Sequence, residues 1–427
     1  GIALDPTAFL GSVRPTSVVW LHAVDLEISA ATLGGQPARV IAGGDDVIGV
    51  AAAAPLAIGA TTVELRYRAP IARDRSVGVY AEREADAWYA YTFFEAIDAR
   101  RAFPCFDEPG FKIPWQVTLH VRDDHVALGN GAVTSEIDQP GELKTVTLAE
   151  TRPLPSYLVA FVVGPFELVD GGTAGRAATP VRFVIPRGRA AETRYARAVT
   201  PKVVAALEDY FDMPYPYGKL DVAVVPRYWG TMEHPGLVAM GQPLTLIAPA
   251  QETSTRKRSY ANILAHELTH YWFGDLVTMA WWDDTWLNEG LATWLDGKIT
   301  DAVAPDWHYL DDAVRNTEAA MAADELLTAR AMRQVVDSRD GIQASFDGST
   351  TYAKGAAVFA MFEHWLGPDR FRAFIRAYVR AHADGSATAA DFLSALTNAT
   401  DADAAAAMRT FLAQPGAPLV VMEVRCA

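Results

Sequence analysis

The stretch that most restricts what this 427-residue chain can fold into is Tyr260–Asp296, YANILAHELTHYWFGDLVTMAWWDDTWLNEGLATWLD. It carries His266, Glu267 and His270 as H-E-x-x-H, and Glu289 follows His270 with 18 residues between them. A helix turns about 100° per residue, so side chains four apart stand on one face. His266 and His270 can therefore offer two imidazoles to one ion, with Glu267 turned aside. Ile263, Leu264, Leu268 and Trp272 give this helix an apolar flank. Its start is expected near Ser254 or Ser259, since hydroxyl side chains cap helices. A second helix, from Asp284 or Thr285, presents Glu289 together with Leu287, Leu291 and Leu295, enough to pack it on the first. Two histidines and a carboxylate with one position left open are the donor set of a catalytic zinc site. One Zn²⁺ per chain, held by His266, His270 and Glu289, is the expectation.

Glu267 points away from that donor set, because neighbouring helical positions differ by about 100°. It fits a general base for a water activated by the ion. Two plainer readings stand beside this one. A core helix can carry two histidines for packing alone, and Glu267 can orient a ligand instead of moving a proton.

The rest of the chain divides in two. Up to about residue 178, short β-rich runs such as SVVWLHAV, TTVELRYRA, WQVTLHV and YLVAFVVG alternate with GG, GDD, DD and GNG turns. The loop from Asp170 to Pro180 is the linker candidate. Beyond it, VRFVIP and LDVAVVP read as strands, RYWGTMEHPG as irregular, and nearly everything after Asp306 as helical. The final PGAPLVVMEVRCA reads as a linker entering a strand.

A net charge of −15 argues against a nucleic-acid partner. The absence of any run of 18 or more apolar residues argues against a membrane span. Two cysteines, Cys105 and Cys426, are too few for a disulfide framework and lie near no second ligand, so they read as a buried and a tail thiol. The chain opens without Met and without a secretory pattern, which leaves its compartment open between cytoplasm and export.

HELTHYWFGDLVTMAWWDDTWLNEGLATW resembles the zinc-binding stretch of the gluzincin aminopeptidases related to aminopeptidase N, a group that includes the leukotriene-hydrolysing enzyme. Three further segments carry the resemblance: ARRAFPCFDEPGFK from Ala99, GTMEHPG from Gly230, and TTYAKGAAV from Thr351. It implies an all-β N-terminal domain (1–178) and a thermolysin-like α+β catalytic domain (179–427) with a largely helical C-terminal half. It implies an aminopeptidase acting on peptides with a free N-terminus. Glu233 and Glu95 then hold the substrate's ammonium, Glu289 touches it as well as the metal, and Tyr352 donates to the oxyanion opposite the zinc. The Gly230, Thr231 and Met232 stretch then binds the peptide in an extended pose. By composition alone Glu95 would be a surface carboxylate and Tyr352 a packing residue.

The chain departs from the family pattern in three ways. His234 stands where the family has Asn and is expected to shift either the pH profile, since His titrates near neutrality, or the positioning of the Glu233 carboxylate. Phe93 stands where the family often has Gln. Family members commonly continue into a β-sandwich and a helical superhelix that roofs the active site, so either further chain exists or a two-domain monomer works with a more open cleft. The rivals are a zinc endopeptidase, an epoxide hydrolase, which no residue here singles out, and a non-catalytic peptide-binding or scaffold relative.

Overall fold

The structure, a computed structural model, describes residues 8–12, 16–400, 402–418, 421–423 and 425. It comprises two compact units, one of Gly1–Pro201 with Tyr215–Tyr260 and the other of Lys202–Pro214 with Ala261–Ala427. A β-rich region over residues 16–185 gives way to a largely helical C-terminal half.

In the first unit, one sheet takes the order Ala8–Ser12, Gly59–Arg68, Glu27–Leu33, Gln36–Pro37, and another Thr16–His22, Val47–Leu56, Arg39–Ala42. Alternation explains why they bury a core: along Gly59–Arg68, Val63 and Leu65 point inward while Glu64 and Arg66 are exposed. Val19, Leu21, Leu33 and Val50 complete that cluster. A further sheet orders Thr118–Arg122, Leu143–Leu148 and Val133–Gln139.

Two more sheets position candidate site residues. Strands β1 (Gly78–Glu84), β2 (Ala87–Phe93), β3 (Val126–Gly129) and β4 (Phe161–Gly164) pair in the order β3-β4-β2-β1. Strands β5 (Glu167–Ala174), β6 (Thr179–Ile185), β7 (Leu220–Val225), β8 (Thr231–Met232) and β9 (Leu237–Gly241) pair in the order β5-β6-β7-β9-β8. The run LDVAVV of β7 is buried at every position, as a strand flanked by parallel neighbours and covered on both faces requires. The segment read as irregular thus contains a short edge strand, β8, antiparallel to β9.

Helices α1 (Arg194–Phe211) and α2 (Ser254–His270) contribute residues to both units. The second unit adds α3 (Thr285–Val303), α4 (Leu310–Asp324), α5 (Gly355–Leu366), α6 (Pro368–His382), α7 (Ala389–Ala399) and α8 (Ala402–Ala413). Its core is aromatic: Phe392 meets Trp286, Phe359, Phe374 and Tyr378 edge-on at centroid distances of 5.0–5.9 Å. The loop between α2 and α3 is tied down where Thr278–Met279 pairs with Ser386–Ala387.

Not all of the expected helix is regular. Gly348–Lys354 is π-helical; Asp347 caps it by accepting from the Thr350 N–H at 2.7 Å, and the Thr351 hydroxyl donates to the Ser345 carbonyl at 2.6 Å. Cys105 is buried, and burial pushes its thiol well above the ordinary range; Cys426 lies outside the described residues. The described part of the C-terminal tail, where a strand was expected, is irregular. Among the described residues no helix is long and apolar enough to cross a membrane.

Candidate metal centre

Helix α2 begins one residue beyond Thr253, whose hydroxyl accepts from the Arg256 N–H at 3.3 Å and so serves as the cap. Leu264, Leu268 and the following Trp272 are fully buried, and Trp272 stacks on Phe211 of α1 at 5.2 Å. This packing fixes the rotation of α2 and sets His266 and His270 on one face. Helix α3 is buried from Thr285 through Ala292, which holds Glu289 inside the unit.

His266 Nε2 and His270 Nε2 lie 3.1 Å apart, and Glu289 Oε2 lies 3.4 Å from the first and 3.5 Å from the second. Three ligands about 2.05 Å from a tetrahedral ion stand about 3.3 Å from one another. The three residues therefore form a metal-sized triangle, and Glu267, buried on the adjacent position of α2, is not part of it.

The electrostatics agree with a cation. Burial draws the His266 imidazole down, but hydrogen bonds to Asp296 and Glu289 more than offset it and hold the ring well above its ordinary value. Burial pushes the Glu289 carboxyl up, yet the charge of His270 and the hydrogen bonds from His266 and His270 hold it below its ordinary value. The cluster favours positive charge at its centre, which a divalent ion would supply.

Two supporting residues were missed at the level of sequence. Asp296 Oδ2 lies 3.4 Å from His266 Nδ1 and is itself held by Asn262 Nδ2 at 2.8 Å, a carboxylate that orients the ligand from behind. Its signal was present, since Asp296 stands seven residues, or two turns, after Glu289. Gly274 has φ +144°, and a Cβ there would stand 2.9 Å from His270 Nδ1. Only glycine lets the chain turn back this close to the ring. Tyr352 lies nearly parallel to the His266 ring, with centroids 6.2 Å apart and planes inclined by 18°.

The other site candidates belong to the first unit. Glu95 follows β2 and Glu233 follows β8, and a carboxylate oxygen of each lies within 4.8 Å of the other. Glu233 is buried and Glu95 partly so. Two like charges this close favour a shared cation. Gly230 accepts from the Gly241 N–H at 3.1 Å, and Thr231 and Met232 pair with Met240 and Ala239, leaving β8 as the sheet edge.

The loop bearing Glu233 is pinned by two side chains that motif reading passed over. Asn130 Nδ2 donates to the Pro235 carbonyl at 3.0 Å, and Lys219 Nζ donates to the Gly236 and Gly129 carbonyls at 2.7 Å each and to Asp221 at 2.8 Å. The ARRAFPCFDEP segment downstream of Glu95 is a structural clasp: Arg100 binds Asp107 at 2.8 Å, and Ser156 donates to Asp107 at 2.6 Å.

The departures from the family pattern resolve differently. His234 is buried, and burial lowers its imidazole to about 3, so the expected titration near neutrality does not occur. Phe93 meets Tyr228 edge-on at 6.3 Å, an apolar contact where Gln would be polar.

Two histidines one helical turn apart and a glutamate from a second helix are the donor set of the gluzincin class. The profile of the Peptidase family M1 domain matches residues 195–411, and that of the Peptidase M1 N-terminal domain matches residues 6–158. Among curated relatives, the chain is 32% identical over 433 residues to Aminopeptidase M1-D of Oryza sativa subsp. japonica, covering 99% of this chain and 48% of that protein. It is 35% identical over 337 residues to Aminopeptidase M1 of Arabidopsis thaliana (79% and 38%), and 32% identical over 343 residues to glutamyl aminopeptidase of Bos taurus (80% and 36%). The chain belongs to peptidase family M1. It spans about half the length, or less, of these relatives.

Proposed function

We propose that the protein is a zinc-dependent aminopeptidase that removes N-terminal residues from peptides. The observation that carries this reading is the 3.1–3.5 Å triangle of His266, His270 and Glu289, with Asp296 behind one ligand. Its donor set and spacing suit zinc, which when bound supplies Lewis acidity towards a water and a peptide carbonyl. Glu267 takes the proton of the attacking water and delivers it to the leaving amine. Tyr352 donates a hydrogen bond to the carbonyl oxygen as it becomes negative. Glu95 and Glu233 bind the α-ammonium, and the Gly230–Met232 backbone receives the peptide as an added strand. Relatives named as aminopeptidases support the same reading. We further propose that the catalytic domain begins near residue 179, within the 159–194 interval that neither family profile covers.

The test is a panel of aminoacyl chromogenic amides, free and N-acetylated, assayed with and without a chelator. Turnover of the free amides alone, lost on chelation and restored by zinc, is the expected result. Equal cleavage of acetylated peptides would replace this reading with a zinc endopeptidase.

A further inference from the structure

Helices α3 and α5 lie side by side in a constant register. Gly290 meets Gly355, Trp294 stacks on Phe359 at 6.1 Å and 29°, and Lys298 Nζ reaches both oxygens of Glu363 at 2.5 and 2.6 Å. Each step is four residues on both helices, so the two run in the same direction. The pairs grow from no side chain, to two rings, to two long chains, which makes the glycine end the tight end. A Cβ on Gly290 would stand 3.0 Å from Gly355 Cα and 3.2 Å from the Thr351 carbonyl oxygen. One on Gly355 would stand 2.8 Å from Gly290 Cα. Both obstacles are backbone, which cannot rotate aside.

The tight end is where the chemistry sits. Glu289 immediately precedes Gly290, and Tyr352 lies three residues before Gly355 in the π-helical segment. That segment is clamped at its end by buried Lys354, which binds Asp324 at 2.7 Å and the Gln414 carbonyl at 3.2 Å. The phenol therefore hangs from a short, stiff connection to the glycine crossing.

We infer that the Gly290–Gly355 crossing is the positioning device that sets the reach of the Tyr352 hydroxyl relative to His266, His270 and Glu289, so that both glycines act on turnover through Tyr352. This rests on the role proposed for Tyr352. A methyl in the crossing must push carbon atoms from 2.8–3.0 Å to a contact of about 3.5–4 Å. The helices then part by roughly 1 Å, a misplacement on the order of 100-fold in rate.

The experiment compares Gly355→Ala, Tyr352→Phe and the double variant by kcat and KM on an aminoacyl amide, zinc bound per chain, and thermal unfolding. Gly355→Ala is expected to keep its metal and a KM within about 3-fold while kcat falls about 100-fold. The double variant is expected to be no slower than Tyr352→Phe, because a residue acting only through the phenol has nothing left to lose. Gly290→Ala, which enters the crossing from the other helix, should show the same non-additivity. Additive losses, wild-type kcat in Gly355→Ala, or loss of zinc with Tyr352 irrelevant would each overturn the inference. Failure of both glycine variants to fold would overturn it too, assigning the crossing to stability. Full turnover by Tyr352→Phe would remove the role of Tyr352 and the inference together; slow Tyr352→Phe with normal Gly355→Ala would remove the inference alone.

Discussion

The helix pair α2–α3 and the carboxylate pair Glu95–Glu233 both gather charge, and they do so by opposite means. In the helix pair the charges are mutually complementary: two imidazoles face Glu289 at 3.4–3.5 Å, with Asp296 behind. In the carboxylate pair two like charges are brought within 4.8 Å by a loop that Lys219 and Asn130 pin to neighbouring backbone. The first arrangement presents three donors that could hold one ion. The second sets two like charges close together, which favours a nearby cation, the role proposed above for a substrate's ammonium. A metal centre needs rigid, directional ligands, and helices supply them; an amine site needs only negative charge held in place, and loops suffice when their carbonyls are clamped.

This contrast can be broken most forcefully at Glu267. Glu267→Gln should lower kcat by about 10²–10⁴-fold with bound zinc unchanged, because it removes a proton acceptor and no ligand. Near-normal peptide hydrolysis by that variant would end the proposed chemistry. At the carboxylate pair, Glu233→Gln should cost about 10–100-fold in kcat/KM for free-amine substrates, the scale of a lost charge-assisted hydrogen bond. Its zinc content should not change; a loss of metal there would erase the distinction between the two regions.

Behind His270, Gly274→Ala should weaken zinc binding by about 10–100-fold, measured by competition with a chelator, since the added methyl displaces the His270 ring. The smallest effect on turnover is expected at His234. Its folded value of about 3 lies below the ordinary 6.5, so between these the unfolded chain holds a proton that the fold does not. Stability therefore rises with pH through this window, is complete above about 6.5, and is lost as pH falls towards 3. His234→Asn should flatten the dependence of Tm on pH there and leave the neutral pH–rate profile unmoved. A shifted rate profile would return His234 to the chemistry.

Much of the candidate metal centre was legible in the residues themselves, because helical periodicity is local. Spacing of four joined His266 to His270, the flanking leucines located the buried face, and the apolar side of the second helix brought in Glu289. The same period could have pointed to Asp296, seven residues beyond Glu289. The change from β-rich to helical chain was equally visible in alternation and turn residues. The pairing of Glu95 with Glu233 was accessible only through a family resemblance, since nothing in the spacing of two carboxylates so far apart in the chain says that they meet.

What no local pattern could disclose depends on burial and on close approach between distant segments. His234 reads as a titrating residue until desolvation removes its charge. Gly290 and Gly355 read as two unremarked helical glycines until their Cα atoms are seen to leave no room for a methyl. Tyr352 reads as part of an ordinary helix, whereas the stretch that carries it is π-helical. Residue order settled which groups could bind a metal, because a helix repeats every few residues. Packing alone settled how near each supporting group comes to them, because distance between remote segments is a property of the assembled core.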